Sequence, residues 1–185
     1  MKKFTKVEPW ITQTVGDRFK RTVIIKKFKT EDGAQHEFTT NGEEGRRSGA
    51  MIAITPDKQV VISYQFRGGP ERWMYELPGG GINHGEDPRV GIIRELKEET
   101  GYVSDNVEFL GTSCRDSLSN TVFYYYLALD CVMSQSGSEL DMEEQEQGAE
   151  VHLITIDELI NNAKNDQMTD PHAVLMAYEK LKEMM

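Results

Sequence analysis

Glu86, Arg94, Glu95, Glu98 and Glu99 stand at fixed separations, bracketed by Gly80 and Gly101, in the stretch GGINHGEDPRVGIIRELKEETGY that runs from Gly80 to Tyr102. At 100° per residue, Glu95, Glu98 and Glu99 fall within about a third of a helix circumference. Like charges on one helix face repel by about a few tenths of a kcal/mol per pair, and near a helix C-terminus the macrodipole disfavours anions as well. Clustered carboxylate oxygens are hard ligands. The counterion they call for is Mg²⁺ or Mn²⁺, which binds a few carboxylates and completes its shell with water and substrate phosphate. The bland alternative is a solvated acidic face in a Glu-rich chain. Spacing decides between the two.

A helix must carry these carboxylates, and its ends are written in the sequence. Asp87 suits the N-cap, Pro88 the first turn and Gly101 the position after the last turn, which predicts a helix from about Pro88 to Thr100. Val90, Ile93 and Leu96 form its expected core face. Gly91, four residues before Glu95, is expected to leave room for a ligand beside the carboxylates. Ahead of the helix, Pro78-Gly79-Gly80-Gly81 reads as a tight loop whose bare backbone can approach a metal or a phosphate.

The chain has 185 residues, of which 38% are hydrophobic and 28% charged, so it is long enough for one ordinary domain with a small appended element. A net charge of −10 argues against a general nucleic-acid or anionic-membrane surface. The N-terminus MKKFTKVEPW has no apolar core of a signal peptide, and the longest apolar run, Val122 to Leu129, is too short to span a bilayer. A cytoplasmic protein is expected. Cys114 and Cys131 have no metal-type spacing and read as buried thiols.

Two strand-like runs within residues 17–40 flank the turn Glu31-Asp32-Gly33 and predict a hairpin. Gly49–Thr55 and Gln59–Gln65 form a second strand pair, Trp73–Leu77 a short strand, and Glu108–Ser113 and Thr121–Leu129 two more around the loop Cys114–Asn120. Arg67 and Arg72 place two guanidiniums, suited to bidentate phosphate recognition, in one loop. Ser134–Gly148 is a polar, acidic loop before a strand at Val151–Ile154. The spacing of Thr155 and Glu158 is that of a capping box, and Asp170-Pro171 opens a last helix with Val174, Leu175, Tyr178 and Leu181 on its apolar side. Strands around a central helix, with C-terminal helices, predict an α/β sandwich of mixed sheet. Residues 1–48 are read as an N-terminal β-strand element and 49–185 as the main domain.

The stretch satisfies the pattern G-x5-E-x7-R-E-U-x-E-E-x-G-U at Gly80, Glu86, Arg94, Glu95, Leu96, Glu98, Glu99, Gly101 and Tyr102, where U is bulky and apolar. On these residues the chain resembles the Nudix hydrolases. Gln65-Phe66-Arg67 and Glu76-Leu77-Pro78 further resemble the ADP-ribose pyrophosphatase branch, over about Gly49 to Leu129. The resemblance implies a Nudix-type α/β/α sandwich that hydrolyses ADP-ribose to AMP and ribose 5-phosphate with Mg²⁺ or Mn²⁺. It implies metal ligation by Glu95, Glu98, Glu99 and the Gly79 carbonyl, a structural pair between Glu86 and Arg94, and substrate contacts from Arg67, Glu76 and Gly80. It also implies a homodimer formed through exchanged N-terminal strands. One further glutamate before the last sheet strand is expected as ligand or general base, with Glu143, Glu144, Glu146 and Glu150 available. Counting back from Val151 without a gap reaches Gln147, and one inserted residue near Gly148 makes it Glu146, the assignment taken here. Leu118 departs from the branch, which carries a proline in that loop, and the departure bears on substrate choice. Other nucleotide substrates, a nucleotide-sensing domain without turnover and prenyl-diphosphate isomerisation are the alternatives.

Overall fold

A computed structural model describes residues 2–17, 20–135, 137 and 148–185. The chain divides into two compact units, one of Met1–Arg46 with Cys114–Val122 and the other of Arg47–Ser113 with Phe123–Met185.

The first unit is a three-stranded antiparallel sheet ordered β1-β2-β3, with β1 at Phe4–Val15, β2 at Arg21–Thr30 and β3 at Gln35–Asn41. The expected hairpin is β2 and β3. Its turn is closed by the Gly33 amide donating to the Thr30 carbonyl at 2.9 Å, with Gly33 at φ 87°, a backbone region open to glycine. β1 adds a strand that the sequence reading did not contain. The loop Cys114–Asn120 belongs to this unit: the Asn41 amide donates to the Leu118 carbonyl at 2.7 Å and the Asn120 amide to the Asn41 carbonyl at 2.8 Å. Cys114 is exposed there, against the expectation of a buried thiol, because the chain has already left its strand; Cys131 is buried.

The second unit is built on a seven-stranded mixed sheet. Its main path is β12-β5-β4-β10-β9, from Glu150–Thr155, Gln59–Arg67, Arg47–Ile54, Val122–Leu129 and Asn106–Ser113 respectively. Arg72–Glu76 (β6) extends it beside β5, and Gly81–Ile82 (β7) beside β4. β10 runs parallel to β4, since Gly49 lies against the Tyr124 carbonyl near the strand starts and Cys131 donates to the Ile54 carbonyl at their ends. The other pairings are antiparallel. Tyr102–Val103 (β8) and Val132–Met133 (β11) pair separately.

Alternation along the strands splits the core into two layers. Ile52, Ile62, Leu77, Tyr125 and Leu127 face the C-terminal helices α2 (Ile156–Lys164) and α3 (Pro171–Met184), where Leu159, Val174, Ala177 and Leu181 cover them. Met51, Ala53, Val61, Ile82 and Tyr126 face Ile92 and Leu96 of α1 (Pro88–Thr100). The result is the expected helix–sheet–helix sandwich. The Thr155–Glu158 capping box is formed in both directions. Leu175 is a correction: it is 76% exposed, and the inward face of α3 is instead Ala173, Val174, Ala177 and Leu181. Among the described residues no helix is long and apolar enough to cross a membrane.

Candidate active site

α1 starts and stops where its caps predict. The Asp87 carboxylate accepts from the Arg89 amide at 2.8 Å, and Gly101, at φ 76°, donates its amide to the Lys97 carbonyl at 2.9 Å. Ile92 and Leu96 are fully buried and centre its inward face. Val90 sits about 160° round the helix from Ile92 at 100° per residue and is therefore exposed, not part of the core face. Glu99 flanks the inward face, Glu95 comes next, and Glu98 lies furthest out, with its side chain 42% exposed against 15% for Glu95.

The loop before α1 is bonded to both the helix and β4. Gly49 donates to the Gly80 carbonyl at 3.0 Å, the Ser48 hydroxyl to the same oxygen at 2.7 Å, and the Met51 amide to the Pro78 carbonyl at 2.9 Å. Against the helix, the Gly79 amide donates to Glu99 Oε2 at 2.9 Å. A Cβ on Gly80 would lie 2.7 Å from the Glu95 carboxylate, so only a bare backbone passes there.

Arg94 stands among the carboxylates. It meets Glu86 at 3.4 Å, Glu95 at 2.9 Å and Glu98 at 2.8 Å, and its Nη2 donates to the Gly81 carbonyl at 3.3 Å. Burial alone would lower its affinity for its proton, but hydrogen bonds and charge from Glu86, Glu95 and Glu98 outweigh this and raise it. The Glu86 carboxyl is held below its usual range, first by the Asn83 amide donating at 2.8 Å and then by Arg94. Its tie to the loop is thus complete at neutral pH and is lost as acid protonates it through that lowered pKa. Gly91 is a further correction. A Cβ there would meet Glu86 Oε2 at 3.1 Å, so the missing side chain makes room for the Glu86 carboxylate and not for a ligand.

A second polar cluster lies at the end of β5. Val61 belongs to the α1 side of the sheet, so by alternation Ser63, Gln65 and Arg67 share that side, as do their cross-strand partners Met74 and Glu76. Arg67 Nε donates to Glu76 Oε2 at 2.6 Å, and its Nη2 reaches the same oxygen. Glu76 is joined to Gly79, and so to Glu99, by Leu77 and Pro78 alone. Arg72 does not join Arg67 at a common anion site. It donates to the carbonyl of Asp166 at 2.6 Å and to its carboxylate, in the connection between α2 and α3.

The structure therefore brings Gly79, Gly80, Glu86, Arg94, Glu95, Glu98 and Glu99 into one loop–helix unit, with Arg67 and Glu76 on the same side of the sheet. Glu143, Glu144 and Glu146 lie outside the described residues. Glu150 opens β12 opposite Tyr64, on the face turned towards α2 and α3, and lies 3.2 Å from His152 Nε2. Ser48, Asn83 and Gln65 had no assigned role in the sequence. For Gln65 the available signal was its place in the Gln65-Phe66-Arg67 run that ends β5.

Among the described residues no three His, Cys, Asp or Glu side chains converge on one point as a ready-made metal cage. Arg94 bridges Glu86, Glu95 and Glu98 and supplies the positive charge their proximity demands. The donor chemistry nevertheless fits a hard divalent cation: carboxylate oxygens on one helix face, beside a glycine backbone in van der Waals reach of them.

The site is thus a glycine loop fastened to an acidic helix on one side of a mixed α/β/α sandwich. Residues 45–177 match the family model described as NUDIX domain. The chain is 31% identical over 136 residues to the methanol dehydrogenase activator of Bacillus methanolicus, and 27% identical over 136 residues to the ADP-ribose pyrophosphatase of Bacillus subtilis (strain 168). In each case 72% of this chain and 72% of the relative are covered. A solved structure described as an ADP compounds hydrolase superposes with a TM-score of 0.72 over 98% of this chain and 96% of that one, at 21% identity, a likeness of fold. The chain belongs to the Nudix family. It is a pyrophosphohydrolase similar to the ADP-ribose pyrophosphatase branch.

Proposed function

We propose that the chain hydrolyses the pyrophosphate bond of a nucleoside diphosphate linked to a second moiety, and that its substrate is ADP-ribose, released as AMP and ribose 5-phosphate. The observation that carries this reading is the complete loop–helix unit, with every glutamate of the pattern in place and Glu99 hydrogen-bonded to the glycine loop. The 136-residue similarity to an ADP-ribose pyrophosphatase supports the substrate, and the Arg67–Glu76 cluster offers a guanidinium beside that unit for an anionic ligand.

Glu95, Glu98, Glu99 and the Gly79 carbonyl would hold Mg²⁺ or Mn²⁺. When bound, such cations polarise the phosphate, offset the charge of the leaving oxygen and make a water more acidic. The protein's own task is positioning. Arg94 and Glu86 hold the loop to the helix, Gly80 leaves the carboxylates uncovered, and Arg67, set by Glu76, orients the substrate. Glu146 is the proposed general base. The working compartment is the cytoplasm, which suits two free thiols. The test is a panel of ADP-ribose, NADH, nucleotide sugars, dinucleoside polyphosphates and nucleoside triphosphates with Mg²⁺ or Mn²⁺, following the phosphate products. ADP-ribose should give the highest kcat/KM. Preference for a nucleoside triphosphate, or binding without turnover, would overturn the reading.

The protein is further proposed to be a homodimer through its N-terminal sheet. That sheet leaves Phe4 and Phe38 on one face and Ile11 and Val15 on the other between 45% and 49% exposed, apolar surface that a second copy would cover. Light scattering should give twice the 21.1 kDa of the chain. A monomer at micromolar concentration would remove the exchanged-strand arrangement.

A further inference from the structure

We propose that Gln65 is a positioning residue that sets the Arg67 guanidinium through Glu76, and thereby controls substrate affinity. Gln65 is only 5% exposed, on the inward face of β5 that also carries the buried Val61 and Ser63. Its amide can face Glu76 in one sense only, because a carboxylate has no proton to give: Nε2 donates to Glu76 Oε2 at 3.3 Å. That choice turns Oε1 to a buried place where, among the described residues, it has no hydrogen-bond partner, an arrangement that opposes folding. Packing does not explain such a residue, since an apolar side chain would fill the strand position without that cost.

The geometry of Glu76 explains it. Arg67 Nε, Arg67 Nη2 and Gln65 Nε2 all converge on the one oxygen, Glu76 Oε2. The buried amide approaches from β5 itself and fixes the direction in which the carboxylate presents this oxygen. The half-buried guanidinium takes its orientation from that oxygen through two of its nitrogens. Without Gln65, Glu76 loses the neutral donor from the adjacent buried position, and both its carboxylate and Arg67 gain rotational freedom that substrate binding must remove.

The inference rests on the reading of Arg67 as a substrate contact, and two measurements separate the two ideas. Gln65→Met keeps the length of the side chain and removes its polar atoms; Gln65→Leu serves as a second variant should the first fold poorly. On whichever panel compound the wild type turns over, either variant should raise KM about tenfold and leave kcat within about twofold. Combined with Arg67→Ala, it should add nothing to the loss from Arg67→Ala alone. An unchanged KM, or losses that add in full, overturns the inference. The second measurement needs no activity: hydrogen exchange at the Arg67 Nε–H, followed by ¹⁵N NMR, should be at least about tenfold faster in the variants. If the wild type turns over no compound in the panel, the functional reading fails while this measurement still decides the arrangement, and unaltered exchange overturns it.

Discussion

Glu99→Gln should lower kcat on the best substrate by roughly 100- to 1000-fold at saturating Mg²⁺, the scale on which single groups that stabilise transition-state charge are felt. The substitution separates charge from architecture unusually well. Glu99 accepts a hydrogen bond from the Gly79 amide at 2.9 Å, and a glutamine carbonyl can accept the same bond. The loop therefore stays fastened while a full negative charge disappears from the helix face. Thermal unfolding measured alongside kcat should differ from wild type by no more than a few degrees. Undiminished turnover would remove Glu99 from the proposed metal-binding set, and a collapse of both quantities would make its role that of an anchor for the loop.

The largest effect on stability is expected from Gly79→Ala. A Cβ at this position would lie 2.2 Å from the Gly49 carbonyl oxygen and 2.6 Å from Ala50 Cα, both backbone atoms of β4. β4 has no freedom to retreat, because Gly49 and Met51 donate to the Gly80 and Pro78 carbonyls on either side of the intruding methyl. Overpacking against fixed backbone costs on the order of 3 kcal/mol or more. For a domain of this size that is a fall in Tm of about 6–12 °C. Turnover should fall with it, since the displaced loop carries the hydrogen bond to Glu99. Gly81→Ala is the matched control: nothing lies within 4 Å of its added Cβ, so both Tm and kcat should stay near wild type. Equal melting of the two variants would mean that the loop accommodates a methyl group at Gly79 after all.

What could be read in advance follows the range of the interaction responsible. The caps of α1 and α2 depend on residues one to three positions away, so Asp87, Gly101 and the Thr155–Glu158 pair were legible and are formed. β4 and β5 were equally legible, because a central strand buried on both faces reads as a short, near-continuous apolar run. Burial that depends on remote packing was not. Val90 and Leu175 are apolar and helical yet exposed, since the inward face of each helix is set by where it docks. β1 is rich in β-branched and aromatic residues, but it carries almost no burial pattern over twelve residues and contains Pro9, so no period marked it as a strand. Gly91 looked like space for a ligand because its true neighbour, Glu86, reaches it only after the loop folds back on the helix.

Arg94 gives the acidic helix face a resident cation of its own. Many small metal-binding folds come apart when their ion is removed, because the free energy of binding it is a large part of their folding free energy. Here the offset is covalently part of the chain, so on the proposed metal-binding reading folding should not require the ion. A divalent ion arriving at the proposed site would also meet a competitor that is tethered and cannot diffuse away. On the proposed metal-binding reading, affinity would be set by the difference between two cations and not by the carboxylates alone, which would favour an ion that arrives with its substrate over one held permanently.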